Sequence, residues 1–189
     1  MKSRTPFLIV ISAPSGAGKT TLCQRLLVEF PNLKLSISST TRAPRGSEKD
    51  GVEYHFLTSE AFKDGIDQGR FAEWAQVHGN YYGTAKQTIE SNFKKGYSVL
   101  LDIDVQGAEL LRQAFPKQCF SIFIAPPSME ELERRLRARK TEREEVILKR
   151  LENAKSEMDQ KHLFDAVVVN DSLDNAYAQL KALVEKKIR

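Results

Sequence analysis

The sequence predicts an α/β fold with a parallel core sheet flanked by helices. Three observations carry this. First, short continuous apolar runs recur along the chain: Phe7-Leu8-Ile9-Val10-Ile11, Tyr97 to Ile103, Phe120 to Ile124 and Ala166 to Val169. Their length and β-branched content suit strands buried on both faces. Second, helical patterns separate these runs, which calls for parallel pairing through right-handed crossovers. Third, 189 residues with 41% hydrophobic and 29% charged side chains suffice for one domain to bury a core without disulfides or a structural metal.

Taken in order, the first strand is followed by a Gly-rich turn and a helix over Thr20 to Phe30, which Pro31 ends. Further helices are expected at about 105–114, 128–139 and 172–187. Residues 35–90 differ from the rest. Glu53 to Leu57 and Phe71 to Val77 are short and partly alternating, a short helix fits 59–67, and Gly46, Gly51, Gly79 and Gly83 punctuate the segment. It reads as a mixed-sheet insertion. The most charged stretch, 128–160, has capping-box spacing at Ser128/Glu131 and at Thr141/Glu144. Two helices are expected there, broken near Lys140, with Ile147, Leu151, Ala154 and Met158 as the apolar stripe of the second.

Composition narrows the function. The apolar run nearest the N-terminus is far too short for a membrane span or a signal segment, so a soluble cytoplasmic protein with no membrane partner is expected. Cys23 and Cys119 form no CxxC pair, and with only three histidines a zinc site is not expected. Isolated thiols read as reduced packing residues. The net charge of +4 suits nucleic acid, a phosphorylated small molecule, or plain solubility.

Ala13-Pro14-Ser15-Gly16-Ala17-Gly18-Lys19-Thr20 nearly matches the Walker A pattern and lies between a strand and a helix, as that motif requires. Glycines let backbone N–H groups curl around phosphate oxygens, Lys19 neutralises the β/γ-phosphates, and the Thr20 hydroxyl suits Mg²⁺. Ala13 stands where the pattern has its first glycine. Asp102, at the carboxyl end of the second buried strand, has the Walker B position, although alone it is equally a solvated strand end. Asp104, two residues on, shares that side if the strand continues. Together these predict a nucleotide site, but they do not choose among a kinase, a GTPase and an ATPase motor.

The acceptor side is less explicit. Ser38-Ser39-Thr40-Thr41-Arg42-Ala43-Pro44-Arg45-Gly46 offers hydroxyls and two guanidinium forks suited to phosphate. On its own, an exposed basic loop is the better explanation. Glu73 alone would be an exposed strand residue beside a packing Trp74, and Tyr81 and Tyr82 alone would pack a sheet.

The order of these motifs, together with Gly51-Val52-Glu53-Tyr54-His55-Phe56, Gly79-Asn80-Tyr81-Tyr82-Gly83-Thr84, Leu101-Asp102-Ile103-Asp104-Val105-Gln106-Gly107 and Val169-Asn170-Asp171, resembles the guanylate kinases over residues 5–185. Bacterial members of that family often carry alanine at the position of Ala13. The resemblance implies a P-loop kinase with a core (5–34, 91–125, 161–187), a mixed-sheet GMP-binding insertion (35–90) and a helical lid (126–160). It implies transfer of the γ-phosphoryl of MgATP to GMP, within purine nucleotide metabolism. Arg42, Arg45, Tyr54 and Tyr82 match positions that hold the GMP phosphate, and Ser38, Glu73, Thr84 and Asp104 match positions around guanine. Arg139 and Arg150 match lid arginines that reach the phosphates, and Asn170 and Asp171 match the loop near adenine. Arg134 and Arg137 are expected to be surface residues in salt bridges with nearby glutamates. A peptide-binding scaffold module of the same fold and a kinase for a phosphorylated sugar are the competing classes. A nucleic-acid partner is not expected, and monomer and homodimer both remain open.

Overall fold

The computed structural model describes residues 5–77, 79–138 and 143–188. In chain order the elements are β1 (Leu8–Ser12), α1 (Lys19–Glu29), β2 (Leu33–Leu35), β3 (Ser39–Thr40), β4 (His55–Phe56), α2 (Ser59–Asp67), β5 (Phe71–Val77), β6 (Asn80–Ala85), α3 (Lys86–Lys94), β7 (Ser98–Asp102), α4 (Val105–Ala114), β8 (Cys119–Ala125), α5 (Met129–Ala138), α6 (Glu144–Asp159), β9 (Ala166–Val169) and α7 (Leu173–Ile188).

The core sheet is parallel, in the order β2-β7-β1-β8-β9. Its central strand shows why an unbroken apolar run belongs there. Ile9 and Ile11 pack with Leu22 and Leu26 of α1 and with Ala176, Leu180 and Val184 of α7. Leu8 and Val10, on the other face, pack with Ile89 of α3 and with Ala108 and Leu111 of α4. Alternate side chains of a strand leave opposite faces, so two helical layers require two apolar faces. Each such side chain, fully buried, contributes roughly 1.5–3 kcal/mol. The register Ile11↔Asp102 brings the end of β7 level with the end of β1, where the Gly-rich turn begins.

A second sheet, ordered β4-β3-β6-β5, is mixed: β3 and β4 are parallel, while β6 runs antiparallel to β3 and β5. Helix α2, capped by Thr58, seats the fully buried Phe62 against one side of it. The Phe62 ring stacks on Phe71 (4.3 Å between centroids) and on Tyr81 (5.3 Å).

Several elements differ from expectation. The edge strand β2 is short and carries Lys34, so it lacks an apolar run. Gly83 interrupts the β6 pattern, and α3 buries only Ile89 and so shows no apolar stripe. Ser128 caps α5 as expected, with its hydroxyl accepting from the Glu131 N–H at 3.2 Å. The second capping box is corrected. Helix α6 begins at Glu144 after Arg143, which supplies no side-chain cap, so Glu144 is a first-turn residue and not the third position of a box. Thr141 and the expected break at Lys140 lie outside the described residues. The α6 stripe also divides. Ile147, Leu151 and Ala154 pack with Leu132 and Leu136 of α5, while Met158 joins Phe123 and Phe164.

Phe62→Ala should cost about 3–5 kcal/mol in urea unfolding, since it removes a buried ring held between two others. A loss well below that range would mean that the second sheet does not depend on this stack.

Candidate active site

The turn after β1 reaches helix α1 through Gly16 and Gly18, whose φ angles of 98° and 91° lie in the left-handed region that glycine alone adopts without strain. Gly18 is the N-cap of α1, so the first N–H groups of that helix open toward the turn. The loop is also braced from outside. The buried Asn170 side chain donates to the Ala17 carbonyl at 2.7 Å and occupies the space that a β-carbon on Gly18 would need. A β-carbon on Gly16 would press on Leu132 and Leu136 of α5.

Beside this loop opens a cleft of about 410 Å³. Lys19 crosses to the end of β7, where its ammonium pairs with Asp102 at 2.6 Å and donates to the Ile103 carbonyl at 3.1 Å. Burial by itself would lower the Lys19 pKa, but the Asp102 carboxylate outweighs it and the ammonium is held above its ordinary value. The lysine is therefore a fixed cation. Thr20 and Asp102, the two expected magnesium residues, line the same cleft and offer hard oxygen donors. The strand does not continue to Asp104. That residue is instead the N-cap of α4, accepting from the Gly107 N–H at 2.8 Å, yet it still lines the cleft.

Ser38, Tyr54, Glu73 and Tyr82 form the opposite wall. The alternation on β5 is the reverse of what Glu73 alone would suggest: Glu73 is only 6% exposed, whereas Trp74 is 40% exposed. Tyr81 packs on Phe62, while its neighbour Tyr82 faces the cleft. Burial pushes the Glu73 carboxyl up to about 7, and nearby Asp104 adds to this against an opposing hydrogen bond from Thr84. That bond, from the Thr84 hydroxyl to Glu73 Oε1, is 2.6 Å long. Thr84 is itself fully buried, so it acts on the cleft through Glu73.

Arg42 stands at the edge of this wall, its guanidinium 5.3 Å from the Tyr54 ring centre. Glu48, which sequence reasoning did not single out, grips it with both carboxylate oxygens at 2.9 and 3.0 Å. Arg45 lies three residues on, with an exposed side chain that does not line the cleft.

From the helical side, Arg150 of α6 donates to the Ser15 hydroxyl on the loop. Glu157, two turns further along the same helix, lines the cleft; burial pushes it up to about 7, opposed by Lys19. It too was missed, although its seven-residue spacing from Arg150 was a usable signal. Arg135 pairs with Glu131 at 2.8 Å and donates to the Asn170 carbonyl at 3.0 Å. Arg134 and Arg137 form the expected surface pairs, with Glu131 and with Glu133 and Glu144. Asp171 is exposed, and Arg139 lies outside the described residues, as does His78.

The arrangement joins a Gly-rich loop to a pocket with a buried carboxylate. Residues 5–187 match the family model for guanylate kinase. A guanylate kinase from Oleidesulfovibrio alaskensis is 50% identical over 182 residues, covering 96% of this chain and 88% of that one. One from Nitratidesulfovibrio vulgaris is 51% identical over 181 residues, covering 96% and 87%. The crystal structure of guanylate kinase from Anaplasma phagocytophilum matches with a TM-score of 0.80 at 33% identity, covering 100% of this chain and 89% of that chain. With the family matched from the first strand to the last helix, the chain belongs to the guanylate kinases.

Proposed function

We propose that the cleft between the Gly-rich loop and the second sheet is where this guanylate kinase moves the γ-phosphoryl of ATP to GMP, giving ADP and GDP. The observation that carries the assignment is the placing of Lys19 and the buried Glu73 on one cleft. One group suits the phosphate chain of a donor, and the other suits an acceptor base. Guanine presents N1–H and N2–H₂ donors on one edge, which the Glu73 carboxylate accepts, with Ser38, Thr84 and Asp104 around it. Adenine lacks N1–H and would leave a buried carboxylate unpaired, at a cost of about 1–3 kcal/mol or more.

Phosphoryl transfer needs positioning and charge stabilisation more than covalent chemistry by the protein. In this assignment the backbone N–H groups of 13–20 hold the ATP phosphates and Lys19 takes the β/γ-oxygens. Asn170 steadies the loop from behind, and Asp171 stands at the nearby rim. Arg42, Arg45, Tyr54 and Tyr82 hold the acceptor phosphate. One of its oxygens forms the new bond to the γ-phosphorus as the bond to the ADP oxygen breaks. Arg150, already on Ser15, and Arg139 bring positive charge to the transferring group from the lid, residues 126–160, over the GMP-binding region 35–90 and the core. Thr20 and Asp102, partly through water, would hold Mg²⁺, which would supply charge neutralisation to the phosphates.

No helix among the described residues is long and apolar enough to cross a membrane. We assign the chain to the cytoplasm and to small-molecule partners, ATP and GMP, without nucleic acid. Cys23 and Cys119 are unpaired, and burial pushes both thiols up to about 12, as befits inert packing residues in a reducing compartment.

Coupled ADP release with each nucleoside monophosphate and MgATP tests the assignment. GMP should turn over far faster than AMP, and Lys19→Ala should lower kcat by at least about 100-fold. Comparable rates with AMP, or retained kcat without Lys19, would contradict it. Glu73 has a second consequence, in the free protein. Its folded value of about 7 lies above the ordinary 4.5, so the folded state binds the proton more tightly than the unfolded state does. Stability from this group is therefore present below pH 4.5 and is lost as pH rises through 7. Denaturation of wild type and Glu73→Gln across that range should show the wild type losing on the order of 3 kcal/mol relative to the variant. Parallel profiles would mean that the carboxyl is not confined as described.

A further inference from the structure

Arg42 is not a free cation waiting at the edge of the cleft. Its side chain is 10% exposed and that of Glu48 is 22% exposed, so the pair is largely shielded from water. Nη1 donates to Glu48 Oε2 at 2.9 Å and to the Ala43 carbonyl at 2.7 Å, and Nη2 donates to Glu48 Oε1 at 3.0 Å. These bonds use three of the five N–H groups of a guanidinium, all at its outer end. Those left over, Nε–H and the second Nη2–H, lie side by side on one edge and form a complete second fork. Tyr82, which lines the cleft, lies beside this guanidinium and helps to hold its charge. Glu48 does more than hold Arg42. Its Oε2 accepts from the Arg45 N–H at 2.7 Å, so one carboxylate ties together both arginines of the loop. Arg42 in turn keeps the Glu48 carboxyl below its ordinary value, with the Arg45 N–H adding to the effect, so Glu48 stays ionised as the pH falls through its usual range.

We propose that Glu48 is a positioning residue for the acceptor phosphate: by clamping the outer end of Arg42, it fixes the remaining Nε/Nη2 fork at the angle that receives the phosphate oxygens. This rests on the assignment of Arg42 to the acceptor phosphate. A flexible arginine would need to be ordered by the substrate at a cost in affinity, whereas a clamped one has already lost that freedom. The opposite role is the physical rival. A carboxylate on Arg42 also cancels its charge, and if that effect dominated, Glu48 would weaken GMP binding.

Steady-state kinetics on the full chain separate these roles. Glu48→Gln keeps the shape of the side chain but loses the charge-assisted fork, and it should raise KM for GMP on the order of ten-fold with kcat and KM for ATP unchanged. In an Arg42→Ala background the same substitution should have no further effect, because Glu48 acts through Arg42. A lowered or unchanged KM for GMP in Glu48→Gln overturns the proposal. So does a fall in kcat alone with a lowered melting temperature, which would mark a merely structural contact. An equal effect of Glu48→Gln with and without Arg42 also overturns it. If Arg42→Ala itself leaves KM for GMP unchanged, it is the phosphate assignment that fails.

Discussion

The pairing of Lys19 with Asp102 is the constraint on which the rest of the site depends. It joins the first residue of α1 to the last residue of β7, two elements 83 residues apart in sequence that meet only because β1 and β7 are neighbouring parallel strands. A buried ammonium without that carboxylate would tend to lose its proton, since burial opposes charge. With it, the cation persists and its position is set by a strand end. Phosphate recognition here therefore begins as a property of sheet register. The sheet in turn stands on the two apolar faces of β1, so the same unbroken run that buries the core also aims the lysine.

How much of this was legible in the sequence follows from how local each signal was. The core strands β1, β7 and β8 could be read directly from apolar runs buried on both faces; β9 was read from a similar run, but as an edge strand it leaves Val167 and Val169 exposed, contrary to the expectation of two buried faces. The Gly-rich loop was legible for a similar reason: left-handed backbone at Gly16 and Gly18 admits few residue types. Edge strand β2, helix α3 and strand β6 were hidden, since a three-residue edge, a helix with one buried residue and a strand containing Gly83 leave little periodicity. In the site, Glu73 was identified by resemblance. Its burial beside an exposed Trp74 runs against ordinary hydrophobicity and was not visible from residue types. Glu48 was passed over because its pairing with Arg42 is set by the fold of one loop, and Glu157, whose spacing from Arg150 was a usable signal, because the Lys19 region is brought near it by helix placement.

The two walls of the cleft use charge in opposite ways. Beside the loop Lys19 is matched by Asp102 and Arg135 by Glu131, and at the edge of the other wall Arg42 is matched by Glu48. On the assignment proposed above, substrate phosphates would meet paired charges and directed N–H groups together. Around Glu73 the imbalance runs the other way, with Asp104 and Glu157 also on the cleft and burial disfavouring the anion. On the assignment proposed above, a base edge rich in donors would offset that unfavourable burial. The phosphate end and the base end therefore select by different physics, directed geometry in one and relief of an unfavourable burial in the other.

The hydrogen bond from Asn170 to the Ala17 carbonyl spans 153 positions. A ribosome delivers the glycine turn well before its brace. Strand β8, which completes the flank of β1, also follows most of the chain. A nascent chain can hold every residue of the phosphate loop and still lack the loop's shape, because the amide that steadies it has not been made. The brace of this turn is thus made long after the turn itself, and loss of Asn170 would unsteady a loop far upstream of it.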